Sequence, residues 1–226
     1  MDKYEEITKN TSSQFLNNNP KYPDDRVVAH VIRFLRSSTT KVCNFKAIDI
    51  GCGAGRHIKL LNDLGFDAYG IDYAENVEDV VIQEFPSINK NNIFHGDYRN
   101  YNFSIKFDLI ISWGVVFQCR KSEIYSNLSK LEDLLVENGQ LILNFRSKNN
   151  WFYGLGEKIE EDTFLIDERG KEYLNYIYCF LEKNEIDEIV HKCKFKIVDC
   201  EKTQLIQEAH LPNPKTHEWW IYRLEK

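Results

Sequence analysis

A glycine-rich loop lies between a predicted strand and a predicted helix in the first quarter of the chain. Gly51, Gly53 and Gly55 alternate with small residues, and Asp49 comes two residues before the first glycine. Glycine lets the backbone turn tightly and approach a ligand without a Cβ in the way. A strand, a glycine turn and a helix in this order are typical of the start of a nucleotide-binding α/β domain. The loop is therefore the first candidate for a cofactor site.

The spacing of the glycines separates two kinds of cofactor. A dinucleotide fingerprint reads G-x-G-x-x-G, and its last glycine lets the helix pack closely on the strand. The position of that last glycine is held by Arg56, and the chain reads G-x-G-x-G instead. This departure disfavours a nicotinamide-dependent oxidoreductase, which is one alternative function.

Two more acids stand where predicted strands end. The strands 66–72 and 92–97 end at Asp72 and Asp97, and Tyr98 follows the second acid. Ligands of open α/β sheets bind outside the carboxyl ends of the strands, so these side chains are expected beside the glycine loop. Asp72 could accept both hydroxyls of a ribose, and Asp97 the exocyclic amine of a base. Acids are also common here as turn residues, but two of them beside a glycine loop favour a site.

The surrounding elements alternate between strands and helices, which predicts right-handed βαβ units and a parallel sheet. The last two strand-like runs are joined by a loop short enough for a hairpin. The predicted strands are 45–50, 66–72, 92–97, 107–113, 140–145, 195–206 and 218–224, and the main helices 24–37, 76–85, 122–136 and 182–192. We expect one domain, with a helical cap over 1–40, a cofactor-binding core over 41–146, and a substrate lid with the terminal hairpin over 147–226.

The loop D-x-G-x-G-x-G, with the acids at the strand ends, resembles motif I of the class I S-adenosylmethionine-dependent methyltransferases. The resemblance covers about residues 41–146 and, by topology, the final hairpin. It implies an α/β Rossmann-like seven-stranded sheet with helices on both faces, whose last strand is antiparallel beside the fifth, and S-adenosyl-L-methionine as the cofactor. The residues it implies for cofactor binding are Asp49, Gly51, Cys52, Gly53, Gly55, Asp72, Tyr73, Asp97, Tyr98 and Trp113.

The acceptor is less clear from the same resemblance. The family's N-P-P-Y and D-P-P-Y motifs, which receive amino nitrogens, would follow the fourth strand, where this chain reads S-W-G-V from Ser112. This argues against an adenine, cytosine or glutamine-amide acceptor. It looks more like the small-molecule and sugar branch, as does, loosely, the H-E-W-W run from His217. We expect methyl transfer to an oxygen of a sugar or related polar metabolite. The alternatives are a small-molecule N-methyltransferase and a catalytically silent cofactor-binding subunit.

Three residues near the predicted acceptor side are candidates for catalysis. The loop 206–217 should lie over the site, and it carries His210 and His217. Imidazole has an ordinary pKa of about 6.5 and can accept a proton near neutral pH. His217 is the first candidate for the base and His210 the second. Arg146, at the end of strand five, could hold an anionic group of the acceptor through two hydrogen bonds. The aromatic-rich segment 149–180 is expected to fold over the site as a lid.

The composition limits the partners and the compartment. The chain has 226 residues, 42% of them hydrophobic, and its formal charge is −6 with no basic stripe, so we expect no nucleic-acid partner. The N-terminus has no apolar signal core, and no apolar run reaches about 18 residues, so we expect no membrane contact. The six cysteines lack C-x-x-C pairs, which favours free thiols in the cytoplasm and no metal. A homodimer is left open.

Overall fold

The computed structural model describes residues 6–7, 20–38, 45–208 and 214–226. His210, and with it most of the turn of the predicted hairpin, lies outside these residues. No helix within the described ranges is long and apolar enough to cross a membrane.

Strands and helices alternate along the core as the sequence predicts. The helices are α1 Asp25–Ser37, α2 Arg56–Asp63, α3 Val77–Glu84, α4 Ile124–Leu134 and α5 Lys183–Lys192. The strands are β1 Lys46–Ile50, β2 Asp67–Asp72, β3 Ile93–His95, β4 Phe107–Ser112, β5 Leu135–Arg146, β6 Glu157–Glu160, β7 Thr163–Leu165, β8 Ile177–Cys179, β9 Lys196–Gln207 and β10 Lys215–Glu225.

Seven of the strands form one mixed sheet in the order β3-β2-β1-β4-β5-β10-β9. The strands β1 to β5 are parallel to one another. The strand β10 is antiparallel to both β5 and β9, with Trp219 opposite Arg146. The predicted fold is confirmed, including the final hairpin strand between strands five and six. Several boundaries differ by a few residues; in the largest case the helix predicted to reach residue 136 ends at Leu134, and the strand predicted from residue 140 begins at Leu135.

Helices cover both faces of this sheet. Alternate residues of β1 point to opposite sides, so that Ala47 packs with Val31 of α1, whereas Ile48 packs with Leu128 of α4. The apolar stripe of α1 explains its position, since Val27 and Val31 are completely buried. Asp24 caps the helix by accepting a hydrogen bond from the backbone N–H of Arg26.

The segment after β5 contains a second sheet that the sequence did not predict. The strands β6, β7 and β8 form an antiparallel sheet of three short strands. It is joined to the core by the backbone N–H of Cys179, which donates to the carbonyl of Phe117 at 2.8 Å. Strands of three or four residues are too short for an alternating apolar pattern to stand out from an aromatic-rich loop.

A charged cluster fixes the second sheet to the main domain. Asp162, in the turn between β6 and β7, lies 3.0 Å from Lys121 and 2.8 Å from Lys148. Both lysines also contact Glu185 of α5, at 2.6 and 3.1 Å, and the hydroxyl of Tyr153 donates to Asp162 at 2.7 Å. Burial alone would raise the pKa of Asp162, but the two ammonium groups and the tyrosine lower it to about 2.

The cluster predicts a loss of stability in Asp162→Asn. Asparagine suits the positive φ of 56° at this position, so the substitution changes mainly the charge. We expect the free energy of unfolding at pH 7 to fall by about 1–3 kcal/mol. The carboxylate stabilises the fold above its ordinary pKa of 3.8 and loses this effect as the pH falls towards about 2. The difference from wild type should therefore shrink over that interval, as followed by urea denaturation.

Glu188→Gln is the matched control. Glu188 pairs with Lys192 on the exposed side of α5, and both side chains are more than half exposed. Such a pair contributes about 0.5 kcal/mol or less. Equal losses in the two variants would contradict a special role for the buried cluster.

Candidate active site

A cavity of about 760 Å³ opens at the carboxyl ends of the parallel strands. The strands β1, β2, β4 and β5 lead into residues of its wall, namely Gly51, Asp72, Trp113 and Arg146, and Trp219 of β10 completes it. This is the edge at which the topology predicts ligand binding. The described residues include no group of three or more His, Cys, Asp or Glu that could hold a metal ion.

The glycine loop has backbone angles and close contacts that favour glycine. Gly51, Gly53 and Gly55 have φ angles of 71°, 51° and 87°. A Cβ at residue 51 would lie 2.3 Å from Val115 Cγ2. Gly51, Cys52 and Gly53 line the cavity, as predicted. Gly55 does not line it, because it caps α2 and packs against α3, where a Cβ would lie 3.0 Å from Val81 Cγ1.

Asp72 connects the loop to the end of β2. Its Oδ2 accepts from the backbone N–H of Gly53 at 2.9 Å, and its Oδ1 accepts from that of Ala74 at 3.0 Å. Burial raises the pKa of Asp72, whereas these two N–H groups lower it. The carboxylate lines the cavity and holds the glycine loop through its hydrogen bond with Gly53. The same bond fixes the carboxylate in place, as a group that receives ribose hydroxyls requires.

Asp97, predicted to contact the adenine, is not part of the cavity wall. Its carboxylate lies outside the wall of the main cavity and is held by the side chain of Arg99, whose Nε donates at 2.9 and 3.0 Å. Arg99 also donates to the hydroxyl of Tyr73 at 2.5 Å. Tyr73, Tyr98 and Arg99 all line the cavity. This end of the cavity is thus formed by Tyr73, Tyr98 and Arg99, and Asp97 binds Arg99 from behind.

Asp49 is also one layer behind the cavity. It is 1% exposed, and its Oδ2 lies 3.4 Å from Nδ1 of His57. Nε2 of His57 accepts from the backbone N–H of Asp24 at 3.4 Å, so the proton of the neutral ring is on the nitrogen that faces Asp49. Asp49 therefore faces the ring of His57, whose other nitrogen meets the start of α1, and does not itself line the cavity.

Two residues that the sequence analysis missed come from the start of α1. Asp24 and Arg26 line the cavity. Nε1 of Trp113 donates to Asp24 Oδ2 at 3.2 Å. The guanidinium of Arg26 lies 5.4 Å from the ring centre of Trp113 and 5.2 Å from that of Trp219. Asp24 is an ordinary N-cap residue and Arg26 an ordinary charged residue of a first helical turn, so no sequence signal marked them.

The opposite end of the cavity, which we call the acceptor compartment, surrounds Arg146. Its walls are Phe117, Tyr173, Tyr176, Tyr178 and Trp219. Arg146 is 7% exposed, and its Nε is buried without a hydrogen-bond partner. No carboxylate of the described residues lies within ion-pair distance of it; its side chain donates to Asn150 at 3.4 Å and also interacts with the hydroxyl of Tyr178. Its guanidinium lies 4.9–5.8 Å from the centres of the rings of Phe117, Phe152, Tyr173, Tyr178 and Trp219.

His217 is not placed as the sequence predicts. It is 3% exposed, lies outside the cavity wall, and stacks on Trp219 at 5.8 Å between ring centres. Its Nδ1 lies 3.5 Å from the hydroxyl of Tyr173, and its Nε2 is buried without a partner. Burial and then the charge of Arg146 lower the pKa of His217 to about 4. It supports two walls of the acceptor compartment and does not reach an acceptor bound there.

Comparison with known proteins agrees with this geometry. Residues 47–139 match the family model described as a methyltransferase domain. No curated protein matches the chain significantly. The chain is similar to a methyltransferase of Methanosarcina mazei (TM-score 0.66, 16% identity, 91% of this chain and 98% of that chain covered). It is also similar to one of Mesorhizobium loti (0.63, 14%, 85% and 95%).

A third solved structure is that of a magnesium protoporphyrin IX methyltransferase of Synechocystis with bound S-adenosylmethionine (TM-score 0.61, 17% identity, 100% of this chain and 85% of that chain covered). At these identities the likeness shows the fold. Together with the domain match, it confirms the predictions of a methyltransferase and of S-adenosylmethionine as its cofactor. The glycine loop at residues 51–55 lies within the part of the chain that matches the methyltransferase domain.

Removal of the Asp72 carboxylate tests the cofactor end of the cavity. A charge-assisted hydrogen bond contributes about 1.5–3 kcal/mol. We therefore expect Asp72→Ala to weaken binding of S-adenosylhomocysteine, measured by calorimetry, by about tenfold to several hundredfold. Asp67→Ala is the control, because Asp67 lies at the other end of β2 and pairs with Lys46 at 2.8 Å. Equal affinities in both variants would remove Asp72 from the site.

The burial of His217 predicts a stability that depends on pH. The folded state holds this imidazole with a pKa of about 4, below its ordinary 6.5. Protonation therefore favours the unfolded chain, and stability falls as the pH drops from about 6.5 to 4. We expect His217→Phe to lose less stability than wild type between pH 7.5 and 4.5, by about 1–3 kcal/mol. Identical pH profiles in chemical denaturation would show that the ring is solvated.

Proposed function

We propose that the protein transfers the methyl group of S-adenosylmethionine to an oxygen of a small polar acceptor held in the acceptor compartment. When bound, the cofactor supplies the electrophilic methyl carbon. The protein's own contribution is alignment of the acceptor and exclusion of water. A sugar or related metabolite that carries an anionic group fits this compartment.

The residues of the cofactor end fit S-adenosylmethionine. We assign its methionine part to the backbone of Gly51 and Gly53, which lines the cavity without side chains. We assign the ribose hydroxyls to Asp72 and the adenine to Tyr98, which is buried in the wall. Arg26 and Trp113 cover the middle of the cavity and would keep water from the reacting atoms.

The observation that carries the proposal for the acceptor is the isolated charge of Arg146. A buried cation without an opposite charge costs several kcal/mol. Several aromatic faces offset part of this cost. An anionic group on the acceptor would supply the missing partner, and guanidinium binds carboxylate or phosphate through two parallel hydrogen bonds. The surrounding rings would pack against the apolar face of the same molecule.

Calorimetry separates this proposal from its alternatives. Binding of S-adenosylmethionine and S-adenosylhomocysteine, without binding of NADH, is expected. Transfer of labelled methyl groups to a small-molecule extract then distinguishes an enzyme from a silent cofactor-binding subunit. Binding of NADH alone, or cofactor binding without any transfer, would contradict the proposal.

Substitution of Arg146 by methionine should separate function from stability. Because the charge has no carboxylate partner, we expect the free energy of unfolding to fall by no more than about 1 kcal/mol, or to rise. The KM of the acceptor should rise by about tenfold to a hundredfold, from the loss of a charged hydrogen bond. Affinity for S-adenosylhomocysteine should stay within threefold. Arg169→Met is the control, since Arg169 is exposed and pairs with Asp167. A loss of about 3–5 kcal/mol in Arg146→Met would show a structural ion pair instead.

A further inference from the structure

We propose that the anion held by Arg146 is itself the methyl acceptor, so that the protein converts a carboxylate of a planar, partly apolar acid into its methyl ester. This inference rests on the proposed function and names the substrate class of that site. It follows from three features of the acceptor compartment: the guanidinium, the chemistry of its walls and the shape of its rings.

The guanidinium is arranged to receive a carboxylate. Arg146 is 93% buried, as its 7% exposure shows, and it lines the cavity with an unpartnered Nε. The planar group has five donors in a fork that matches the two oxygens of a carboxylate. Each carboxylate oxygen has about two acceptor sites. An oxygen bound by the guanidinium therefore keeps a lone pair that can point at the methyl carbon.

The described walls of the compartment lack a buried group that could take a proton from an alcohol. His217 lies behind Tyr173 and Trp219, and both ring nitrogens of His57 face Asp49 and the backbone of Asp24 at the cofactor end.

The remaining ionisable groups of the walls do not change this conclusion. Burial raises the pKa of Tyr176 and Tyr178, so both phenols stay protonated and can only donate to an oxyanion. Glu172 is the one free carboxylate of the described wall at this end, and it is exposed to solvent at the rim. A hydroxyl acceptor would lose a proton during transfer and would need a base there.

A carboxylate acceptor needs no base. One carboxylate oxygen forms the new C–O bond as the bond between the sulfonium sulfur and the methyl carbon breaks, and its electron pair stays on sulfur. The negative charge of the acid and the positive charge of the sulfonium disappear together. The products are a neutral ester and a neutral thioether, and no proton is taken up or released.

The walls also favour a particular shape of acid. Phe117 and Tyr178 lie with ring centres 5.4 Å apart, and Tyr176 stacks on Tyr178 at 5.6 Å and 7°. Flat aromatic walls bind flat apolar surfaces best, in stacked or edge-to-face arrangements. An aryl or indolyl acid combines such a surface with the carboxylate that Arg146 lacks.

Binding is the first test, and it does not depend on turnover. Calorimetry on the complex with S-adenosylhomocysteine compares benzoate with benzamide, which has the same shape and no charge. We expect benzoate to bind at least tenfold more tightly, and Arg146→Gln to abolish the difference while Arg169→Gln keeps it. Equal affinities of the two ligands in wild type would overturn the proposal. Failure of S-adenosylhomocysteine itself to bind would instead overturn the proposed function.

The second test identifies the bond that is formed. The protein is incubated with methyl-labelled S-adenosylmethionine and three acids (benzoate, phenylacetate and indole-3-acetate), or with benzyl alcohol and benzylamine as matched acceptors. Methyl esters release volatile methanol in alkali, whereas ethers and methylamines do not. We expect alkali-labile label from at least one acid. No label from the acids, or label only in the alcohol or amine, would overturn the proposal and leave the methyltransferase assignment intact.

The third test concerns the proton. For a carboxylate acceptor, kcat should not change between about pH 6 and 9. In a weakly buffered reaction, the acid released should be less than about 0.1 equivalent for each methyl group transferred. Glu172→Gln distinguishes the alternative. A loss of about a hundredfold in kcat with unchanged affinity for S-adenosylhomocysteine would identify Glu172 as a base and overturn the proposal.

Discussion

An uncompensated guanidinium inside the domain is the constraint on which the acceptor side of this protein depends. Arg146 stands at the carboxyl end of β5, where a parallel strand brings its side chain to the ligand edge of the sheet. Burial of an unpaired cation is expensive, and aromatic faces are the partners that offset the cost without neutralising the charge. Phe152, Tyr173 and Tyr178 supply such faces. Tyr178 lies in β8 of the second sheet, and Phe152 and Tyr173 lie outside its strands, so the segment after β5 as a whole places rings around the arginine.

The terminal hairpin completes this arrangement. Its register sets Trp219 opposite Arg146, with the guanidinium 4.9 Å from the ring centre. The same ring lies 5.2 Å from the guanidinium of Arg26 on α1. Trp219 is therefore shared by two cations, one at the acceptor end and one beside the cofactor loop. An antiparallel last strand links the cover of the cofactor to the wall of the acceptor compartment, which a parallel strand in another register would not do.

The sequence predicts the parallel core well because its signals are local. A glycine loop needs glycine at its positive φ angles, and strand ends gather at one edge whatever the side chains do later. The position of Asp97 has an equally local cause, because Arg99, two residues further on, binds its carboxylate. The burial of His217 depends on residues that are distant in the sequence. It shares a face with Trp219, but Trp151, Phe152 and Tyr173 pack over it from the loops between β5 and β8. No pattern within β10 reveals that cover.

A series of contacts through the imidazole of His57 also connects β1 with the start of α1 and with Trp113. Asp49 of β1 faces His57 of α2, and His57 accepts from the backbone of Asp24, whose carboxylate receives Trp113 and Arg26. This series of contacts requires one neutral tautomer of His57, because the nitrogen that accepts from the N–H of Asp24 must carry a lone pair. The first acid of the glycine motif thus acts at a distance. It lies next to His57, which meets the start of α1, and Arg26 of α1 in turn contacts the ring of Trp219.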